Sequence, residues 1–226
     1  MKKIFFLVNN LDEIDFKEYA KKHLVNETIV INTILPKETK DYDLVILWNY
    51  RKILKNIENK KNIVIFHSSD LPYGKGWAPI YYSIIEENEF YTISGILAYE
   101  EVDSGDVIIK AKFKIKENYT ADIIRKWDTE ICMMLIKKIL KRFDGKKIVG
   151  SKQVGISTYH ERRKPEDNII NFNSKISEVI NHLRACEKRN PAFFYYNKTK
   201  YLITIEPEVK PEFPKDLEIT FFDTVK

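Results

Sequence analysis

The first half of the chain alternates short, continuously apolar runs with helical patterns, and this alternation constrains the fold most. Residues 3–9, 43–48 and 62–67 read as buried strands, and residues 28–33 are a further β-rich run. Residues 11–24, 50–58 and 79–87 carry helical spacing between them. Strands that alternate with helices form mainly parallel sheets, because parallel neighbours need crossover connections. The pattern therefore predicts an α/β fold, a Rossmann-like mainly parallel sheet with helices on both faces.

Two longer strands and a long helix complete this half. Residues 91–100 and 106–115 read as strands joined at Asp103-Ser104-Gly105. Residues 121–143 read as an amphipathic helix, whose predicted apolar stripe holds Ile124, Trp127, Ile131, Met134 and Leu135. In such sheets, ligands bind beyond the carboxyl ends of the strands. His67 ends one predicted strand and Asn49 follows another, so we expect both at the ligand crevice.

The sequence changes character after Gly150. A helix is predicted at residues 174–186, then a hairpin of residues 191–196 and 200–206 across Asn197-Lys198, and a last strand at 217–222. We expect a catalytic domain at 1–150 and a small α+β extension at 151–226. The aromatic run Phe193–Tyr196 suits either a small core of its own or a homodimer surface.

Charge and cysteine content exclude several classes of protein. The 226 residues carry 38 Lys and Arg against 33 Asp and Glu, and a net charge of +5 with interleaved signs falls short of a nucleic-acid footprint. Cys132 and Cys186 are expected to be buried, reduced thiols in the cytoplasm. No apolar run approaches the ~20 residues of a membrane span, and the run at residues 4–8 is too short for a signal peptide. We expect a soluble cytoplasmic protein without membrane or nucleic-acid partners.

The segment from His67 to Pro79 (HSSDLPYGKGWAP) is the best candidate for chemistry. A strand ends on the histidine, and a proline and two glycines then shape a tight loop before a helix. A carboxylate from Asp103 beside the imidazole of His67 would fix its tautomer and support its protonated form. Each feature also has a structural interpretation: Asp-Ser-Gly is an ordinary turn, and Trp77 suits a packing anchor.

Several short motifs occur in a fixed order along residues 43–142: His67, Leu71-Pro72, Gly76, Ala78-Pro79, Ser94-Gly95-Ile96 and Val102-Asp103-Ser104-Gly105. Together they resemble the formyltransferase family that uses 10-formyltetrahydrofolate, whose members act on glycinamide ribonucleotide, methionyl-tRNA and nucleotide-sugars. A second block, from Gln153 to Asp167 and then Ile180 to Ala185, looks like the tail of sugar N-formyltransferases. Arg162 and Arg163 in this block either contact substrate or pair with nearby acids in a solvated turn.

The resemblance implies transfer of a formyl group from 10-formyltetrahydrofolate to the amine of an amino-sugar, nucleotide-linked, for surface glycan biosynthesis. His67 would move the proton or stabilise the oxyanion, and Asp103 would orient it. The resemblance also implies contacts from Lys75 and Trp77 to the acceptor, although an exposed lysine is often only solvated. The residues implied for the folate cofactor are Tyr50, Arg51, Ala98 and Asp106, and no metal is expected.

The sequence departs from the family pattern near the histidine. Ile65 stands where the family has its catalytic asparagine, and an isoleucine cannot donate a hydrogen bond to an oxyanion. Asn49 is our candidate substitute, with Ser68 the next. Asp70 occupies a position that is usually leucine, and the stretch before His67 is shorter by about one βα unit, which could remove part of the cofactor or nucleotide pocket.

Three alternatives to a sugar N-formyltransferase remain open at this point. Ile65 makes a 10-formyltetrahydrofolate hydrolase conceivable, because water would replace the amine. A methionyl-tRNA formyltransferase is disfavoured by the small net charge and by the lack of that branch's longer C-terminal domain. A degenerate protein that binds folate or nucleotide without catalysis is the third alternative.

Overall fold

The computed structural model describes residues 1–10, 14–57, 62–143 and 147–222. Its strands are β1 (Lys3–Leu7), β2 (Thr28–Asn32), β3 (Leu44–Leu47), β4 (Ile63–His67), β5 (Lys75–Gly76), β6 (Phe90–Leu97), β7 (Val107–Lys114), β8 (Tyr159–His160), β9 (Ala192–Tyr196), β10 (Thr199–Ile203) and β11 (Glu218–Phe221). Its α-helices are α1 (Ile14–His23), α2 (Pro79–Ile85), α3 (Ala121–Arg142) and α4 (Ile176–Ala185).

Seven strands form one sheet in the order β11-β7-β6-β4-β3-β1-β2. Strands β1 to β4 are parallel to their neighbours among themselves, whereas β6 is antiparallel to β4, β7 to β6 and β11 to β7. Strand β7 therefore points in the same direction as β1 to β4. The predicted Rossmann-like, mainly parallel sheet is confirmed.

The continuous apolar runs arise because both faces of the central strands are buried. On one face Ile4, Phe6 and Ile46 belong to a large core to which all four α-helices contribute. On the other face Phe5, Leu7 and Val45 pack with residues of non-helical segments, among them Leu35 and Leu54. Among the described residues, the four α-helices pack on the first face, and largely non-helical chain packs on the second.

The short helix predicted at residues 50–58 is wrong over 50–57, and Glu58 lies outside the described residues. Asn49 and Asn56 adopt left-handed backbone conformations, with φ of 47° and 57°, which an α-helix cannot continue through. The Asn56 amide donates to a carboxylate oxygen of Glu100, at 2.6 Å. This segment is therefore held by side-chain contacts rather than by helical hydrogen bonds. The helix predicted at residues 11–24 is described only as Ile14–His23, since Leu11 also lies outside the described part.

Helix α3 matches the prediction closely and anchors the core. Its buried stripe includes Ile124, Trp127, Ile131 and Leu135, as the periodicity indicated. Met134, expected on the same stripe, is instead 38% exposed. At 100° per residue Met134 lies at one edge of the buried face, which extends on the other side through Met133 and Ile136 and is wider than predicted.

The C-terminal segment is joined to the first 150 residues at several points. Strand β11 extends the main sheet beside β7, and β8 pairs with β5. The predicted hairpin is present as β9 and β10, with φ of 45° and 64° at Asn197 and Lys198, as a two-residue primed turn requires. Phe193 is buried, whereas Tyr195 and Tyr196 are largely exposed. The division at residue 150 remains a prediction.

Two further sequence expectations concern thiols and membranes. Cys132 and Cys186 are both buried and free, as expected. Within the part of the chain that the structure describes, no helix combines the length and apolar composition needed to cross a membrane.

Candidate active site

His67 and Asp103 meet at one end of the sheet. His67 is the last residue of β4 and is 8% exposed; Asp103 lies in the turn between β6 and β7 and is 9% exposed. Their side chains approach to 3.5 Å between Nδ1 of the imidazole and Oδ1 of the carboxylate. Two residues predicted to act together are thus adjacent in a largely buried site.

The second ring nitrogen of His67 determines which tautomer the site holds. Nε2 lies 2.9 Å from the carbonyl oxygen of Gly74. Because a carbonyl only accepts hydrogen bonds, the network assigns the proton to Nε2. Nδ1 is then the nitrogen that takes up and releases a proton, and the Asp103 carboxylate is placed to stabilise it when protonated.

Two glycines make this arrangement sterically feasible. The Gly76 amide donates to Oδ2 of Asp103 at 2.9 Å, with a φ of 92°, and a Cβ there would lie 2.4 Å from the carbonyl oxygen of His160. A Cβ on Gly105 would lie 1.6 Å from the carbonyl oxygen of Leu97. Only glycine fits these close approaches, so both residues do more than permit a turn.

Residues 153–160 form hydrogen bonds to both segments of the site, the loop after His67 and the turn that contains Asp103. Thr158 accepts a hydrogen bond from the Gly74 amide through Oγ1 at 2.8 Å, and its carbonyl accepts from the Lys75 amide at 3.1 Å. Gln153 donates to the turn that contains Asp103. Gln153 and Thr158 belong to the second motif block, but no role could be predicted for either, because their contacts lie far away in the chain.

Ile65, which stands where the formyltransferase pattern has an asparagine, also has apolar neighbours. Ile65 packs against Leu71, Ile96 and Val107. Ser68, one candidate substitute, donates its hydroxyl to Oδ2 of Asp128 on α3 at 2.7 Å, so this hydroxyl is already engaged.

Asn49, the other candidate, has an exposed side chain just beyond β3, which neighbours β4 in the sheet. Its carbonyl accepts from the side-chain amide of Asn9 at 2.8 Å, and Asn9 also accepts from the Arg51 amide at 2.9 Å. Asn9 thus fixes the backbone of residues 49–51, and Asn49 itself is exposed.

Two of the four predicted cofactor residues lie on the sheet face that the α-helices leave to non-helical chain. Tyr50 and Ala98 both pack against the apolar cluster on that face. Asp106 accepts a hydrogen bond from the Tyr99 hydroxyl at 2.9 Å, and Arg51 is exposed. Tyr50 and Arg51 follow the end of β3, whereas Ala98 lies beside the first residue of β4, whose carbonyl accepts from the Ala98 amide. The binding role of the four residues remains a prediction.

The predicted acceptor residues follow the histidine loop. Lys75 and Trp77 are half-buried, and the guanidinium of Arg162 lies 5.0 Å from the centre of the Trp77 ring. Arg163 is instead structural, because its guanidinium stacks on Tyr81 and donates to Asn168. The two arginines left open by the sequence therefore have different surroundings.

Asp70, the acidic departure from the family pattern, has a partner. Nζ of Lys110 lies 2.5 Å from its Oδ1 and also donates to the Leu71 carbonyl at 2.7 Å. The pair holds the loop after His67 against β7, which accounts for an acid at this position.

A buried hydrogen-bond network links the residue after His67 to β6 and α3. Oδ2 of Asp128 accepts from the hydroxyls of Ser68 and Tyr91, each at 2.7 Å. Burial, followed by the nearby Asp128 carboxylate, raises the pKa of the Tyr91 hydroxyl well above its usual value. Tyr91 therefore stays neutral and acts as a hydrogen-bond donor.

Replacing Tyr91 with Phe tests this network. The change removes one donor to a carboxylate without altering packing, so we expect the free energy of unfolding to fall by about 1–3 kcal/mol in urea titrations. Tyr195→Phe, at a site 55% exposed, is the matched control and should change it by less than about 0.5 kcal/mol. Equal unfolding midpoints for the two variants would contradict a supporting role for the Tyr91 hydroxyl.

The chain is similar in sequence to known formyltransferases. No family model matches the chain. In sequence it is 25% identical over 180 residues to the methionyl-tRNA formyltransferase of Rickettsia massiliae, covering 79% of this chain and 58% of that protein. The chain therefore spans less than two thirds of the length of the curated relatives it matches.

Solved structures share the fold. The methionyl-tRNA formyltransferase of Clostridium thermocellum superposes with a TM-score of 0.73 at 22% identity, covering 98% of this chain and 100% of the other. A sugar N-formyltransferase from a Shewanella species gives 0.70 at 18% identity, covering 93% and 100%. HypX from Aquifex aeolicus, in complex with tetrahydrofolic acid, gives 0.73 at 18%, covering 95% and 40%. The predicted resemblance to formyltransferases is confirmed.

The site contains acid–base groups rather than metal ligands. Across residues 1–10, 14–57, 62–143 and 147–222, no group of three or more His, Cys, Asp or Glu side chains could hold a metal ion. The chemistry that the described residues offer is proton transfer at Nδ1 of His67, with a fixed carboxylate beside it.

Proposed function

We propose that this chain is a cytoplasmic N-formyltransferase that moves a formyl group from 10-formyltetrahydrofolate to the amine of a nucleotide-linked amino-sugar, for surface glycan biosynthesis. The observation that carries the proposal is the 3.5 Å approach of Nδ1 of His67 to Oδ1 of Asp103. Both come from strand ends in a fold shared with formyltransferases of both sugars and methionyl-tRNA. The free thiols suit a reducing compartment.

The reaction begins with attack of a neutral amine on the formyl carbon. The tetrahedral adduct carries negative charge on oxygen and positive charge on nitrogen. Nδ1 of His67 takes the amine proton, and the Asp103 carboxylate stabilises the imidazolium that forms. When the bond from the formyl carbon to folate nitrogen breaks, that nitrogen receives the proton and tetrahydrofolate leaves.

The oxyanion needs a donor other than His67 Nε2, because that nitrogen is bonded to the Gly74 carbonyl. Ile65 cannot serve, so we assign the task to the carboxamide of Asn49. One such donor typically contributes about 10²–10³ in rate. The support for Asn49 is its exposed side chain at the end of the strand next to β4.

The formyl donor is assigned to the crevice between residues 50–51 and the loop after β6. A pterin is flat and carries several hydrogen-bonding groups, so it suits an apolar wall flanked by polar chain. Tyr50 and Ala98 supply such a wall, and Arg51 and Asp106 supply charge at its edge. The tetrahydrofolic acid bound in the HypX structure supports this class of ligand.

The acceptor is assigned to the face of the loop that carries Lys75 and Trp77. Lys75 and the exposed Arg162 provide two cations beside an aromatic ring. Cations bind phosphates and aromatic rings stack on bases, so this combination favours a nucleoside diphosphate carrier over a free sugar.

An acceptor screen tests the function. The protein is incubated with 10-formyltetrahydrofolate and a panel of nucleoside-diphosphate amino-sugars, with the free amino-sugars, methionyl-tRNA and a reaction without acceptor as comparisons. We expect at least one nucleotide-linked amino-sugar, and no other acceptor, to gain the mass of one formyl group.

The other outcomes identify the alternatives. Brisk formate release without acceptor would indicate a hydrolase, which the apolar surroundings of Ile65 favour most among the alternatives. Formylation of methionyl-tRNA with a steep salt dependence would indicate a tRNA enzyme. Folate binding without any turnover would show that the chain is a binding protein.

A further inference from the structure

The side chain of Gln153 bridges both sides of the turn that carries Asp103. Its Nε2 donates to the carbonyl oxygen of Asp103 at 2.8 Å and to that of Gly105 at 2.9 Å. A carboxamide nitrogen has two hydrogens, so each carbonyl receives one. Because both neighbours can only accept, the orientation of the amide is fixed by the contacts themselves. Its Oε1 is buried without a hydrogen-bond partner, which indicates that the donor side of the amide is the side in use.

The turn needs such support. Asp103 has a φ of 53°, a left-handed conformation that is uncommon for residues with a side chain, although aspartate tolerates it better than most. The backbone of Gly105 lies so close to the Leu97 carbonyl that a side chain there would clash. A small relaxation of this turn would move the Asp103 carboxylate away from both Nδ1 of His67 and the Gly76 amide.

The backbone on either side of Gln153 is held independently of its side chain. Ser151 pairs with Val107 through two hydrogen bonds, of 2.8 and 2.9 Å. Further along, Gly155 lies close to Pro72, and the Thr158 amide donates to the Pro72 carbonyl. A substitution at residue 153 therefore removes the two side-chain hydrogen bonds while the segment stays attached.

We propose that Gln153 is a positioning residue: its amide clamps the turn of residues 103–105 and so places the Asp103 carboxylate against His67. Gln153 acts on the reaction through Asp103 and not by contact with the reacting atoms. The catalytic consequence rests on the proposed function, whereas the positioning of Asp103 does not.

The first test reads the position of Asp103 without any substrate. The Gly76 amide donates to Oδ2 of Asp103, and with only seven glycines in the chain its signal can be assigned after ¹⁵N-glycine labelling. Gln153→Met keeps the length of the side chain and removes its donors. We expect the Gly76 amide signal to move towards its position in Asp103→Ala and its hydrogen exchange to speed up about tenfold or more.

Lys152→Met is the matched control, since Lys152 is the exposed neighbour. Gln153→Glu is a second variant of the same length, whose carboxylate cannot donate to the two carbonyls and should give the same response. The dispersion of the other glycine signals reports whether each variant is folded. A Gly76 signal that is unchanged in both folded Gln153 variants overturns the clamp.

The second test uses a double-mutant cycle in the enzyme. We expect Gln153→Met to lower kcat by about 10²-fold with little change in KM, as a small misplacement of a catalytic group does. In an Asp103→Ala background the same change should have no further effect, because the group it positions is gone. If the fold losses in kcat of the two single variants multiply in the double variant, Gln153 acts independently of Asp103 and the proposal is overturned. If the wild type proves inactive, the glycine signals still decide the positioning.

Discussion

Replacing His67 with Asn lowers kcat/KM for formyl transfer by about 10²–10⁴-fold, the range that a general acid–base group contributes. Asparagine keeps a polar side chain near the Gly74 carbonyl but cannot take a proton from the amine. The rate is measured as tetrahydrofolate release, with the acceptor found in the screen. Asp103→Ala should also lower kcat/KM, since Nδ1 of His67 then loses the carboxylate 3.5 Å away.

The control for this experiment is His23→Asn at the end of α1, which leads into the start of β2 and so lies away from the carboxyl ends of the parallel strands. It should leave kcat/KM unchanged. Activity within about threefold of wild type in both His67→Asn and Asp103→Ala would contradict their assigned roles, provided that both variants unfold at the wild-type urea concentration.

Truncating Trp127 to Ala gives the largest expected loss of stability, about 3–5 kcal/mol. The ring packs edge-on against Phe113, Tyr119 and Phe213, at centroid distances of 5.9, 4.8 and 6.2 Å. It therefore joins β7, the start of α3 and the chain that leads to β11. A loss of this size is a large share of the 5–15 kcal/mol that holds a typical domain folded.

Urea unfolding followed by circular dichroism measures this loss. Met134→Ala on the same helix is the control, because Met134 is 38% exposed, and it should cost well under half as much. Similar costs at the two positions would mean that α3 does not anchor the core through its tryptophan.

The sheet could be predicted because burial on both faces leaves a simple mark on the sequence. The apolar runs around Phe5, Val45 and Val64 became β1, β3 and β4, and the two-residue turn at Asn197-Lys198 became the predicted hairpin. The helix predicted over residues 50–57 was wrong because periodicity does not reveal left-handed asparagines or the hydrogen bond from Asn56 to Glu100.

The candidate site was predictable only as far as strand ends define it. His67 ends a predicted strand at the expected crevice. Asp103 follows β6, which runs antiparallel to β4, so its approach to His67 depends on how the loop of residues 98–106 folds back, and strand order does not determine that. The Gly74 carbonyl that sets the tautomer could not be predicted either, because the conformation of its loop depends on Thr158, 84 positions away in the chain. Side-chain direction was equally hidden: alternation along the chain gave no means of telling that Ser68 bonds to Asp128.

The pairing of β5 with β8 bears on how this protein could be recombined with its relatives. A chimera joined at residue 150 would give the histidine loop a foreign replacement for Thr158 and His160, whose backbone atoms bond to Lys75 and Trp77. A junction after residue 160 keeps the loop with its native support. Exchange of acceptor specificity by swapping tails should therefore succeed more often at the later junction.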